Sequence, residues 1–169
     1  MTAPSMSPAP TARRDLDAAE FRKHGIVAGL VGAALLAVWF LIVDVLRGHP
    51  LFTPTLLLHA LLSGGDAPPP EEGSIASTLL FTAVHALAFT AIGVMVAEFL
   101  RQFDLVHSRA LMLVLLFVAL CVAFLAFGVL FAVLGPEGIT LRDAFIGNAL
   151  AAFGMAAYLG RALGDAKVD

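Results

Sequence analysis

The sequence predicts an all-α, polytopic membrane protein with four transmembrane helices in an antiparallel bundle and a short interfacial helix in the first outside loop. Residues 110–134 contain no charge, amide, hydroxyl or proline. As a helix, this run would reach nearly 40 Å, more than the ~30 Å hydrocarbon core of a bilayer. Charged residues are 14% of the chain, whereas soluble domains hold about 25%. Lipid-facing surface explains that deficit.

The elements follow in order along the chain. Residues 1–24 are expected to form a polar, proline-containing cytoplasmic arm, and from Asp15 this arm can continue the first span as a helix. One membrane domain, 25–164, and a tail, 165–169, follow. The four spans are expected at about 25–46, 75–100, 110–134 and 141–163.

Capping signals define two helix starts. Thr53 as N-cap, Pro54 at the first helical position and Gly64 as terminator predict a short helix at about 54–63. This helix is too short to span, so we expect it to lie at the membrane surface or on a partner. Thr140 is the expected N-cap of the fourth span, with Asp143 in the capping-box position.

Basic residues predict the orientation. The arm, the second loop and the C-terminal end together carry eight Lys and Arg residues, against two, Arg47 and Arg142, on the opposite side. The positive-inside rule therefore predicts cytoplasmic termini. The scattered positive charges and the net charge of −3 give no indication of nucleic-acid binding.

Small residues at four-residue spacing predict where helices meet, because they let two backbones approach closely in lipid. One such stripe lies on the first span and another on the fourth. Each is expected to contact a helix of this chain or of another subunit. The residues are Gly25, Gly29, Ala33 and Ala37, then Ala152, Ala156 and Gly160.

His85 is the one ionisable residue expected near the bilayer centre, which makes it a candidate functional residue. Its imidazole would bond a neighbouring helix, with Asn148 at similar depth as the partner. Alternatively it would ligate haem or chlorophyll, or serve proton or substrate movement. No metal site or catalytic residue is predicted. Cys121, within the third span, is expected to be a packing or lipid-facing residue.

The outer end of the first span carries a polar cluster of Asp44, Arg47 and His49. A helix-end ion pair between Asp44 and Arg47 is the expected arrangement. Contact with an ion or a quinone head group is the alternative. Trp39, one turn inside Asp44, is placed as an interfacial aromatic anchor.

The stretch from Gly29 through Trp39 and Asp44 to Pro50 and Thr53-Pro54 resembles a pattern in small uncharacterised bacterial four-helix integral membrane proteins. The resemblance covers residues 29–54 and implies a bacterial inner (cytoplasmic) membrane. It carries no assigned chemistry.

Three functional classes remain open. The first is a non-catalytic accessory subunit of a larger respiratory or photosynthetic membrane complex, with the bilayer and other integral membrane subunits as partners. The second is a protein that binds haem or chlorophyll through His85, and the third is a small transporter. The absence of a deep carboxylate counts against the third.

Overall fold

A computed structural model of the chain is all-helical in the part that it describes, which comprises residues 10–63, 70–102, 114, 117–118 and 140–165, with side chains between 18 and 162. These residues contain no strand. Four helices can be bounded within the described residues, and they are α1 (Pro10–Leu46), α2 (Phe52–Ser63), α3 (Ile75–Gln102) and α4 (Leu141–Asp165).

α1 is the central helix of this arrangement, since α3 and α4 both pack along it. Arg22 lies beside Glu98 and Gly29 beside Phe89, so α1 and α3 run in opposite directions. Contacts of α1 with the start of α4 at one end and with Tyr158 at the other show that α4 is also antiparallel to α1.

Glycines bring the backbones of α1 and α3 together. A Cβ atom on Gly25 would lie 2.7 Å from the carbonyl oxygen of Gly93, and one on Gly29 would overlap the backbone of Phe89 and Thr90. A Cβ atom on Gly93 would overlap α1 in the same way. No side chain fits between the helices at this crossing.

The core lies where α1 faces its two neighbours. Ala28, Ala33 and Leu36 of α1 are buried with Phe89 of α3. The α4 side of the core combines three small residues with two large ones, which are Ala151, Ala152, Met155, Ala156 and Leu159.

Two described helices are long and apolar enough to cross a membrane, Ala18–Leu46 and Ile75–Gln102. Only 33% of the apolar window of the first and 11% of that of the second is buried within the protein. Low burial of this kind is compatible with contact of both helices with lipid. The third predicted span, 110–134, lies outside the described residues apart from Val114, Phe117 and Val118, whose side chains are exposed.

The short helix α2 is packed into the protein, where the sequence predicted a helix lying at the surface or on a partner. Leu56, Leu57, Leu58 and Ala60 are all buried, and α2 contacts both α3 and α1. Successive buried residues cover several sides of a helix, because neighbours in sequence are about 100° apart. Residues 56–58 and Ala60 of α2 are therefore apolar because they pack within this chain, whereas Leu61 and Leu62 at its end are exposed.

Candidate functional site

A tight turn at the end of α1 places Asp44 against α2. The amide of His49 donates to the carbonyl oxygen of Asp44 at 3.0 Å, and that of Gly48 to Val45 at 3.1 Å. This is the Schellman pattern, and Gly48 supplies its left-handed residue with φ 80°. Leu51 also has a positive φ, 65°, which is rare for a branched side chain. The turn reverses the chain so that Thr53 returns to Asp44.

The carboxylate of Asp44 caps α2. One oxygen accepts the Thr53 backbone N–H at 2.8 Å, and the other accepts the Thr53 hydroxyl at 2.5 Å. Asp44 is only 2% exposed. A buried charge of this kind is tolerated because hydrogen bonds and the positive end of the α2 dipole compensate for lost water.

A second polar contact joins α2 to the start of α3. The hydroxyl of Thr55 accepts the backbone N–H of Ser74 at 2.8 Å and donates to the carbonyl oxygen of Leu51 at 2.8 Å. Ser74 in turn caps α3, because its side-chain oxygen accepts the N–H of Ser77 at 3.3 Å. Thr55 thereby fixes the start of α3 beside the turn that follows α1.

The third contact at this end joins α1 to α4. Arg47 forms an ion pair with Asp143, whose side chain is 5% exposed. The indole N–H of Trp39 donates to the backbone carbonyl of Asp143 at 2.8 Å. Thr140 accepts the N–H of Asp143 at 3.2 Å and donates its hydroxyl to the carboxylate at 2.6 Å. The predicted N-cap is confirmed, and Asp143 both closes the cap and binds α1.

These three contacts form one set, which we call the cap layer. It comprises Asp44, Thr53, Thr55, Ser74, Trp39, Arg47, Thr140 and Asp143. The ion pair that the sequence predicted between Asp44 and Arg47 is replaced by bonds to two other helices, because the turn carries Thr53 onto Asp44. His49 lies beside Phe52, with ring centroids 6.2 Å apart.

His85 lies between two aromatic rings of its own helix. Its ring is stacked on Phe81 with centroids 5.7 Å apart and is 4.6 Å from Phe89. Its Nε2 atom is buried without a hydrogen-bond partner among the described residues. Asn148, the expected partner, donates instead to the carbonyl oxygen of Ala144 on its own helix at 2.9 Å.

Most residues of the two predicted small-residue stripes lie at helix contacts or in the core. Gly25 and Gly29 face α3 at the glycine crossing. Ala33, Ala152 and Ala156 lie in the core. Gly160 is partly buried, and Ala37 is exposed on the outer side of α1.

At the opposite end, α1 and α3 are joined by charges. Glu98 accepts Arg22 Nε at 2.8 Å through one carboxylate oxygen and Arg101 Nε at 2.7 Å through the other. His24 Nδ1 lies 3.2 Å from the Tyr158 hydroxyl of α4. The contact of Arg22 with Glu98 was not predicted from the sequence, although both residues lie where an apolar run meets a charged segment.

The geometry therefore shows carboxylates engaged in helix caps and interhelix contacts. It also shows two buried imidazoles, those of His59 and His85, whose Nε2 atoms have no hydrogen-bond partner among the described residues. Comparison of the chain with protein-family models, curated proteins and solved structures finds no match.

Proposed function

We propose that this protein is an integral membrane protein that serves as a non-catalytic accessory subunit of a larger membrane complex. One observation carries the proposal. The three carboxylates Asp44, Glu98 and Asp143 each bond a neighbouring helix or its cap. Groups used in this way hold helices in position, which is the role expected of side chains in a structural subunit.

The outward side of α1 supports a partner in the membrane. Ala34 and Ala37 are exposed there beside Val38 and Leu41, which are 54% and 44% exposed. Small residues on an exposed apolar face permit a second helix to approach closely. Part of the small-residue stripe of α1 is thus not covered by the other described helices.

Cross-linking from native membranes tests the subunit role. A photoreactive residue at Ala37 is expected to capture one membrane protein reproducibly. The same residue at Ala83, an exposed alanine on α3, serves as the matched control and is expected to capture mainly lipid. If both positions gave the same products and the mildly solubilised protein migrated alone, the subunit proposal would fail.

His85 supports a second candidate function, the binding of haem or chlorophyll. Its buried Nε2 atom has no partner among the described residues, and an imidazole nitrogen flanked by aromatic rings suits axial ligation. Protein purified from native membranes would then show a Soret or chlorophyll absorption band that His85→Ala removes. His59→Ala is the control, because the Nε2 atom of His59 is also buried without a partner among the described residues. A colourless preparation would exclude this candidate.

A further inference from the structure

We infer that Arg22, Glu98 and Arg101 form a binding site for the head group of an anionic phospholipid. We call these three residues the arginine pair site. The inference rests on the proposed membrane location and not on the subunit role. It concerns the end of the molecule opposite to the cap layer.

The position of the site matches a membrane interface. Arg22 precedes the apolar run that begins at Gly25, and Glu98 follows the run that ends at Ala97. The two charged positions are brought together because α1 and α3 are antiparallel and cross closely at Gly25 and Gly93. The site therefore lies at the depth of the lipid phosphates when both helices span the bilayer.

The charge of the site suits an anion. Two guanidinium groups share one carboxylate, so the three residues carry a net charge of +1. The contacts described for Arg22 and Arg101 use only their Nε atoms, and these side chains are 61% and 35% exposed. Their Nη groups can donate charge-assisted hydrogen bonds to phosphate oxygens.

Apolar side chains lie on the membrane side of the pair. Ile26 is four residues after Arg22, and Met95 is three residues before Glu98, so each shares a helix face with a member of the site. Ile26 is 42% and Met95 63% exposed. An acyl chain can lie along them while its phosphate binds the arginines, which distinguishes a lipid from free phosphate.

The predicted orientation of the helices in the membrane also favours an anionic lipid. In that orientation the arginine pair site faces the cytoplasmic leaflet, where anionic lipids attract basic residues next to membrane spans. Lys23 is close by but is 70% exposed and bonded to Glu20 at 3.0 Å. It provides a charge of the same sign outside the site.

The test uses the full chain, purified in detergent and titrated with lipid under native mass spectrometry. Phosphatidylglycerol is expected to bind about tenfold more tightly than phosphatidylcholine. The double variant Arg22→Gln, Arg101→Gln is expected to lose this preference, and Lys23→Gln to retain it. Equal binding of the two lipids, or the same loss in Lys23→Gln, would overturn the inference.

Two further measurements distinguish a lipid site from a free-phosphate site and test recognition by charge. Inorganic phosphate alone is expected to compete only weakly, and competition at the affinity of the lipid would overturn a lipid site. Glu98→Gln raises the net charge while keeping an oxygen acceptor, so binding of phosphatidylglycerol should increase, and a decrease would contradict recognition by charge. If the double variant unfolds, each single arginine variant is expected to reduce the preference about threefold. A full preference in both single variants would overturn the inference.

Discussion

At the residue scale, Asp44 is the side chain that fixes the start of α2 against the end of α1. Its carboxylate makes two hydrogen bonds to Thr53, across a turn that only the backbone conformation of Gly48 and Leu51 produces. Replacement of Asp44 by alanine leaves the N–H and hydroxyl of Thr53 without their acceptor in a buried place. Such unsatisfied groups are more costly than the net value of the bonds.

We therefore expect Asp44→Ala to lower the free energy of unfolding by about 1–3 kcal/mol. This loss of stability is measured by thermal unfolding of the purified protein in detergent, followed by circular dichroism. Asp44→Asn retains one acceptor oxygen and is expected to cost less. Asp44→Ala with an unchanged unfolding temperature would show that the cap does not stabilise α2.

Contacts between residues close in sequence were predictable from local patterns. Thr140 and Asp143 are three positions apart in a capping pattern, and the structure has that cap. The bond from Thr53 to Asp44 was not predicted, because the pattern near Thr53 indicated only a helix start and not a cap contributed by another helix. The sequence did contain a signal for this contact. Asp44 is an isolated carboxylate at the end of an apolar span, and Thr53-Pro54 follows it within ten residues.

At the element scale, the α1–α3 crossing depends on the absence of side chains. A Cβ atom on Gly29 would overlap the backbone of α3, which cannot move as a flexible side chain can. Gly29→Ala is expected to destabilise the protein by about 1–3 kcal/mol, measured by thermal unfolding. Ala83→Val adds apolar volume on an exposed face and is the control. If both changes were equally mild, the crossing would not be as close as described.

The joint between α1 and α4 can be measured as a coupling energy. Arg47 and Asp143 form an ion pair in which the carboxylate is nearly buried. A double-mutant cycle with Arg47→Ala and Asp143→Ala is expected to give a coupling of about 0.5–3 kcal/mol. Substitution of Arg142, which is 81% exposed, should give a smaller coupling with Asp143. Equal couplings would contradict a specific role for Arg47.

The partners of α1 could not be predicted from sequence. Small residues on α1 and α4 indicated that another helix can pack closely against each of them. They did not indicate which helix that is. Short connections identify neighbours, but Trp39 and Asp143 are 104 positions apart. Their contact depends on the whole packing arrangement.

At the scale of the whole molecule, the antiparallel packing brings the majority of the Lys and Arg residues of the described helices to one end. Arg22 of α1 and Arg101 of α3 meet at Glu98, while α4 brings Arg161 to the same end. Arg47 and Arg142 lie at the cap layer. The charge asymmetry counted along the sequence is thus also an asymmetry in space.

This asymmetry predicts that Lys23 and His49 lie on opposite sides of a membrane. In a Cys121→Ser background, His49→Cys should react with a membrane-impermeant maleimide in spheroplasts. Lys23→Cys should react only after permeabilisation. Both side chains are exposed, so access depends on the membrane and not on burial. Labelling of both from the same side would contradict the proposed topology.

The central position of α1 has a consequence for biogenesis. α1 precedes α3 and α4 along the chain, so it leaves the ribosome first. Each later helix thus meets a docking surface that has already been synthesised, and neither has to wait for a segment made after it. A ribosome-stalled nascent chain ending after α3 should already contain the contact between Arg22 and Glu98.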